Sequence, residues 1–300
     1  MCDMEQLPIP NRPGCIARRV CAAFFCVWAY ATPVAAEEFL ADLDEAEWRL
    51  QASALECRLS QPIPLFGEAT FRQRAGESAG FELTSYQDVR AGEASLRIVA
   101  PEWQRSGVVV SVGPVPVESG RTAVRLGSAL TDKLLSALHQ GLSPVFGGMP
   151  SDSLQGLTTV VLTPVNFRRA YGDYMDCRAE LVPATFVEVA RTRISFDTGQ
   201  WELDDTGRSR LELVAGHVRA DASITAIYVD GYTDDTGRRD GNLELSRRRA
   251  EAVSRFLESK GVAAERITTR HHGSRYPVAS GRSAAARAQN RRVTVRLERG

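Results

Sequence analysis

The last third of the chain switches repeatedly between two hydrophobic periods, and that alternation limits the folds open to it. Thr192–Phe196 and Ile224–Val229 are short apolar runs of strand character, and Ile267–Arg270 and Arg292–Leu297 repeat the pattern. Between the first two, Leu211, Val214, Ala215 and Val218 recur on one helical face, behind Asp204 or Asp205 as N-cap and as far as Arg219. Between the second and third, Asn242–Lys260 reads as a long helix with Leu245, Val253, Phe256 and Leu257 apolar, stopped by Gly261. Strands joined by helices in the order β-α-β-α-β-β need crossover connections, so an α/β sandwich is expected over residues 183–300.

The preceding part has another rhythm. Ala69–Arg74, Phe81–Leu83, Leu96–Val99, Val108–Val112 and Thr158–Leu162 are short β-like runs broken by Gly and Pro. A helix stands out at Ser128–Gln140, where Leu130, Leu134 and Leu138 recur four apart and Gly141 can cap. Asn166–Cys177 reads as a short aromatic helix carrying Phe167, Tyr171 and Tyr174. The expected class is α+β: a mainly antiparallel β domain with a helix over residues 37–182, then the sandwich. The stretch between them, Val182–Arg191, is too short and mixed to classify.

Residues 1–36 do not read as part of either domain. Arg12, Arg18 and Arg19 precede an apolar run from Val20 to Val34 that ends in Ala35-Ala36. This is the pattern of a cleaved export signal, cut after Ala36, and the run is shorter than the ~20 residues of a retained membrane helix. Cleavage removes Cys2, Cys15, Cys21 and Cys26 and leaves Cys57 and Cys177. Two thiols in an oxidising compartment favour a disulfide over a thiol nucleophile, since no His lies near either in sequence.

The chain carries 37 basic and 37 acidic side chains. The balance argues against a nucleic-acid partner, because there is no electrostatic excess for a polyanion. The neutrality is nevertheless a sum of unlike parts. Residues 37–189 hold 13 basic and 20 acidic side chains, net −7, and residues 190–300 hold 21 and 15, net +6.

Between the second strand and the long helix lie Gly231-Tyr232-Thr233-Asp234-Asp235-Thr236-Gly237 and Asn242-Leu243-Glu244-Leu245-Ser246-Arg247-Arg248-Arg249-Ala250; Asn290-Arg291-Arg292-Val293 opens the last strand. In order and spacing these resemble the OmpA-like peptidoglycan-binding domain. The resemblance implies a site for diaminopimelate, in which Asp234 binds the ammonium and Arg249, fifteen residues on, grips the carboxylate through a planar guanidinium. Asn242 matches a supporting polar position, Arg291 falls near the pocket, and backbone N–H groups at Thr236 and Gly237 add donors. Two departures stand out: Tyr232 replaces the family's His, and His271-His272-Gly273 replaces Gly-Tyr-Gly.

The first domain shows a second resemblance. Glu56-Cys57-Arg58-Leu59, Pro62-Ile63-Pro64-Leu65-Phe66-Gly67 and the stretch from Asn166-Phe167 to Asp176-Cys177 are similar to the N-terminal domain of the MotY flagellar motor proteins. That likeness implies a periplasmic part of a ring around the flagellar basal body, docking there and on a MotX-like protein, fixed to peptidoglycan and supporting stator units. No catalysis and no cofactor are implied.

Other readings fit less well. A general tether between outer membrane and wall, without a flagellar role, needs a lipid anchor or β-barrel that this first domain does not offer. A stator subunit needs a retained membrane helix. A wall hydrolase needs separated acid and base groups, whereas Asp234 and Asp235 are adjacent. Asp230–Asp235 suggests a calcium loop only superficially, since Tyr232 replaces a ligand and the closing Glu is missing, so no metal is expected. Arg247 and Arg248 read as a solvated helix face, and His139 and His217 as structural.

Overall fold

In the computed structural model residues 37–300 are described, except residues 102, 105–106 and 151–156. The expected signal and its cleavage point after Ala36 lie outside the described residues. In chain order the strands of the first part are β1 (Glu37–Phe39), β2 (Arg49–Ala52), β3 (Glu56–Ile63), β4 (Gly67–Arg74), β5 (Gly80–Val89), β6 (Gly92–Val99), β7 (Val109–Val117), β8 (Gly120–Leu126), β9 (Ser143–Pro150) and β10 (Leu157–Val161). They form two five-stranded sheets, ordered β2-β3-β4-β5-β8 and β1-β10-β9-β6-β7. All pairs are antiparallel except β1 with β10.

Alternation builds the core between the sheets. Cys57, Leu59, Phe71, Phe81 and Leu83 point inward from one sheet, and Ala94, Leu96 and Phe146 from the other. Phe81 stacks on Phe146 with centroids 5.5 Å apart, which joins the two layers. Helices α1 (Ser128–His139) and α2 (Phe167–Glu180) complete this core with Leu134, Leu138, Phe167 and Tyr174. The expected Gly141 cap is present: its φ is +82° and its N–H donates to Leu138 O at 3.0 Å. Cys57 of β3 is bonded to Cys177 of α2, with Cα atoms 6.0 Å apart.

β7 extends well beyond the expected Val108–Val112, through Pro114 and Pro116. The strand is an edge, paired only with β6, so two residues without N–H groups cost the ladder nothing there.

The connecting stretch holds a one-turn helix, α3 (Phe186–Val189). It has a full capping box: Thr185 Oγ1 accepts from Glu188 N–H, and Glu188 Oε2 accepts from Thr185 N–H at 2.6 Å.

The last part comprises β11 (Arg191–Ser195), α4 (Asp205–Ala220), β12 (Ile224–Gly231), α5 (Arg239–Ser259), β13 (Ile267–His271), α6 (Ala284–Asn290) and β14 (Arg292–Arg299). The sheet order is β11-β14-β12-β13, with β12 and β13 parallel and the other pairs antiparallel. Leu211, Val214, Ala215 and Val218 of α4 and Ala250, Val253 and Leu257 of α5 are buried with Ile194, Ile227, Val229, Val293 and Val295 of the sheet. Asp204 caps α4 by accepting from Gly207 N–H at 2.7 Å. Helix α6 adds to the expected order, and α5 starts at Arg239 rather than Asn242. The two parts keep separate hydrophobic cores, while Ala35–Gly300 cluster as one unit.

Candidate functional site

The approach of α5 to β12 sets the site's geometry. At Gly231, the last residue of β12, a Cβ would lie 2.2 Å from Ser246 O and 3.1 Å from Ala250 Cβ. Only a glycine lets the helix backbone come so close. The chain then turns through residues 232–238 into α5. Tyr232 N–H donates to Arg292 O at 2.9 Å and Thr233 N–H to Gly273 O at 2.8 Å, which ties the loop to two neighbouring segments. Ser246 Oγ accepts from Gly273 N–H at 3.0 Å and closes the arrangement from the helix side.

Asp234 sits in this loop, only 5% exposed. Its Oδ1 accepts from the Thr236 N–H at 3.1 Å and from the Thr236 hydroxyl, and its Oδ2 accepts from Arg291 Nη1 at 3.1 Å. Burial works to raise its pKa, but the hydrogen bonds from Thr236 and the Arg291 guanidinium outweigh it and hold the carboxyl below the ordinary aspartate value. Asn242 lies in the first turn of α5 and points its amide back at the loop, donating to Thr236 O at 2.8 Å. Gly237 has φ +86°, a turn that the absence of a Cβ makes cheap.

Arg249, expected to grip the ligand's carboxylate, lies beneath the loop. Its side chain is fully buried, and three nitrogens donate to backbone carbonyls: Nε to Gln200 O at 2.7 Å, Nη1 to Tyr232 O at 3.1 Å and Nη2 to Asp197 O at 2.9 Å. Its guanidinium lies 5.1 Å from the Phe196 ring centroid. Burial pulls its pKa down to about 10, against the pull of Asp234, so it remains charged at neutral pH. Arg249 thus braces the loop after β11 against the Asp234 loop and places a positive charge beneath it. Arg291 is the cation in direct contact with Asp234, and its Nε donates to Phe196 O at 3.0 Å.

The structure therefore brings Asp234, Thr236, Gly237, Asn242, Arg249 and Arg291 together at one end of the sheet. Beside Arg291 opens a hollow of about 520 Å³ lined by Phe196, Asp197, Gln200, Asp204 and Gln289. A recessed carboxylate with a guanidinium against it can engage the two ends of a zwitterion, and a carboxylate has lone pairs left for an ammonium.

Asp235 turns outward and pairs with Arg287 at 2.9 Å. Arg247 and Arg248 lie on the exposed helix face, paired with Glu244. His217 is buried, its Nε2 donating to Ala184 O at 2.7 Å. Tyr232 is stacked between Arg292, 3.8 Å from its centroid, and His272, at 4.8 Å. Among the described residues no group of three or more His, Cys, Asp or Glu is placed to hold a metal ion.

Sequence reasoning passed over Asn290, whose side chain holds the loop before α6 by accepting from Val278 and Ala279 N–H and donating to Ala279 O. Its signal was its place at the head of the Asn-Arg-Arg-Val stretch.

Comparison with known proteins covers both parts. The family model for the MotY N-terminal domain matches residues 39–183, and that for the OmpA family matches residues 195–291. The chain is similar to the sodium-type flagellar protein MotY of Vibrio parahaemolyticus, 28% identical over 280 residues, covering 89% of this chain and 92% of that protein. It is 41% identical over 104 residues to the probable lipoprotein YiaD of Escherichia coli, which spans 35% of this chain and 47% of that one. Among solved structures, the peptidoglycan-associated lipoprotein from Burkholderia pseudomallei aligns over 35% of this chain and 89% of its own, at 31% identity and a TM-score of 0.34.

Proposed function

We propose that this chain, which matches the MotY N-terminal domain over residues 39–183 and the OmpA family over residues 195–291, is a MotY-like, non-catalytic part of the flagellar motor that holds the basal body to the cell wall. The second domain binds peptidoglycan by the diaminopimelate residue of its stem peptides. Asp234 takes the ammonium, and Arg291, backed by the buried charge of Arg249, takes the carboxylate; Asn242, Thr236 and Gly237 shape the loop and offer backbone donors. The observation that carries this reading is the Asp234–Arg291 pair at 3.1 Å, in which hydrogen bonds hold the Asp234 carboxyl below its ordinary pKa and Arg291 also lines the hollow.

The first domain docks on the basal body and on a MotX-like protein, so that copies arranged as a ring give stator units a fixed support. Its Cys57–Cys177 bridge is what an oxidising compartment permits, which supports a periplasmic location reached through a cleaved signal. Among the described residues no helix is long and apolar enough to cross a membrane.

Two measurements test the proposal. Basal bodies purified from cells should carry the protein, and a deletion should leave flagella assembled but swimming impaired. Absence from basal bodies together with normal swimming would reject the motor role and leave only a wall-binding protein.

A further inference from the structure

The sheet of the second domain has helices on one face only, and its other face carries an ordered array of side chains. Register sets it out in three rows across β11, β14, β12 and β13. Arg191, Arg296, Tyr228 and Thr268 form the first row, and Arg193, Thr294, Asp230 and Arg270 the second. Ser195, Arg292, Tyr232 and His272 form the third. The guanidinium groups of Arg270 and Arg296 lie 4.8 and 4.7 Å from the centroid of Tyr228.

Five arginines thus share a face with two carboxylates, Asp230, which Arg270 and His272 already engage, and Glu298, which lies one row further along β14 and pairs with Arg296. Arg191 and Arg193 are exposed on β11, with no ion pair to a carboxylate among the described residues. The side chains of Arg270 and Arg296 are 42% and 39% exposed; Arg296 Nη2 pairs with Glu298 at 3.4 Å, while its buried Nε has no hydrogen-bond acceptor among the described residues. Much of the +6 of residues 190–300 is therefore gathered on one surface.

The matching acidic excess is also local. Glu37, Glu38, Asp42, Asp44, Glu45 and Glu47 are all exposed, on a segment pinned by buried Phe39, Ala41, Ala46 and Trp48. Leu40 and Leu43, 46% and 57% exposed, point outward with them. Only Glu47 has an ion-pair partner among the described residues, Arg49 at 2.7 Å. Within one copy, none of these carboxylates meets an arginine of the sheet face.

We propose that the arginine–tyrosine face of one copy is the docking surface for the acidic Glu37–Glu47 segment of a second copy. The two surfaces differ, so the contact is head to tail. It leaves a free face at one end and a free segment at the other, and repeats into a closed ring or an open row. The leucines settle over the flat tyrosine and threonine positions, and the carboxylates meet Arg191, Arg193 and Arg296. Of its arginines, Arg193 also lines the hollow beside Arg291, while Arg191 and Arg296 do not, and none of the three pairs with Asp234.

The test uses residues 37–300, which fold within a single unit, in sedimentation velocity over a range of concentrations. At about 50 mM salt the protein should form dimers and larger species, and at about 500 mM it should sediment as a monomer. Two charge-reversed proteins are compared, one with Arg191→Glu, Arg193→Glu and Arg296→Glu, the other with Glu37→Lys, Glu38→Lys and Asp42→Lys. Each alone should be monomeric at low salt, while the two mixed, or all six changes in one chain, should restore association. Circular dichroism confirms that both remain folded. A wild-type protein that stays monomeric at low salt overturns the proposal, as do folded variants that associate unchanged or fail to recover on mixing. Binding of the wild type, but not the arginine variant, to vesicles of anionic phospholipid without self-association also overturns it, and assigns the face to a membrane.

Discussion

Arg291 meets Asp234 at 3.1 Å across 57 residues of sequence. The pair forms because β14 returns antiparallel to β12 and delivers its first residues beside the loop that leaves β12. A site built this way exists only when β14 is paired with β12.

Removing either member should separate binding from folding. Asp234→Ala is expected to weaken pelleting with purified cell wall by at least about tenfold, equivalent to about 1.4 kcal/mol, with unchanged circular dichroism. Arg291→Ala should weaken it too, since the ligand's carboxylate loses its cation. Unaltered pelleting of both proteins would remove the site from consideration.

Arg249 should behave as a brace. Arg249→Ala takes the donor from the carbonyls of Gln200 and Tyr232, leaves Asp197 O only the Gln200 N–H and opens a void, at a cost of about 3 kcal/mol. Urea unfolding should shift to lower concentration, far more than for Asp234→Ala. Equal midpoints would show that the buried guanidinium is not structural.

The lowered pKa of Asp234 gives a pH signature. Its folded carboxyl titrates below its unfolded value, so the stability contributed by the pair is complete above the usual aspartate range. That contribution is lost as pH falls through the lowered value. Melting temperatures of wild type and Asp234→Asn should differ at pH 6 and converge only once the pH has fallen below the ordinary aspartate range. A difference that disappears already near neutrality would contradict the assignment.

Gly231→Ala should destabilise by about 1–3 kcal/mol, because its Cβ meets the helix backbone at Ser246 O, 2.2 Å away, rather than a side chain that could move. Wall binding should fall with it, since α5 carries both Asn242 and Arg249.

The mature chain should show no free thiol before reduction. Cys57→Ser with Cys177→Ser should lower stability by up to about 4–5 kcal/mol, as expected for a loop of this length. Two titratable thiols in the native protein would rule out the bond.

Much of the second domain could be read from sequence because its chemistry is contiguous. Asp234, Asn242 and Arg249 lie within one loop and the helix it enters, and the long apolar period fixed that helix. The depth of Arg249 was also written there and went unread. It falls on the stripe of Ser246, Ala250, Val253 and Leu257, whereas Arg247 and Arg248 fall off it. The Thr185–Glu188 capping box was a second overlooked signal, hidden because the helix it starts is a single turn. Helix α6 gave little notice, since of its alanines only Ala286 is buried and no apolar stripe exists. β7 was cut short at its prolines because a sequence does not say which strand will be an edge.

β11 leaves the connecting stretch at Arg191 and ends at Ser195, beside the Arg291 backbone that receives Phe196 N–H at 3.0 Å. Tension between the first domain and the Asp234 loop therefore runs along β11. It loads the register from Arg191↔Arg296 to Ser195↔Arg292 in shear, every rung sharing the force at once instead of parting one after another as in a zipper.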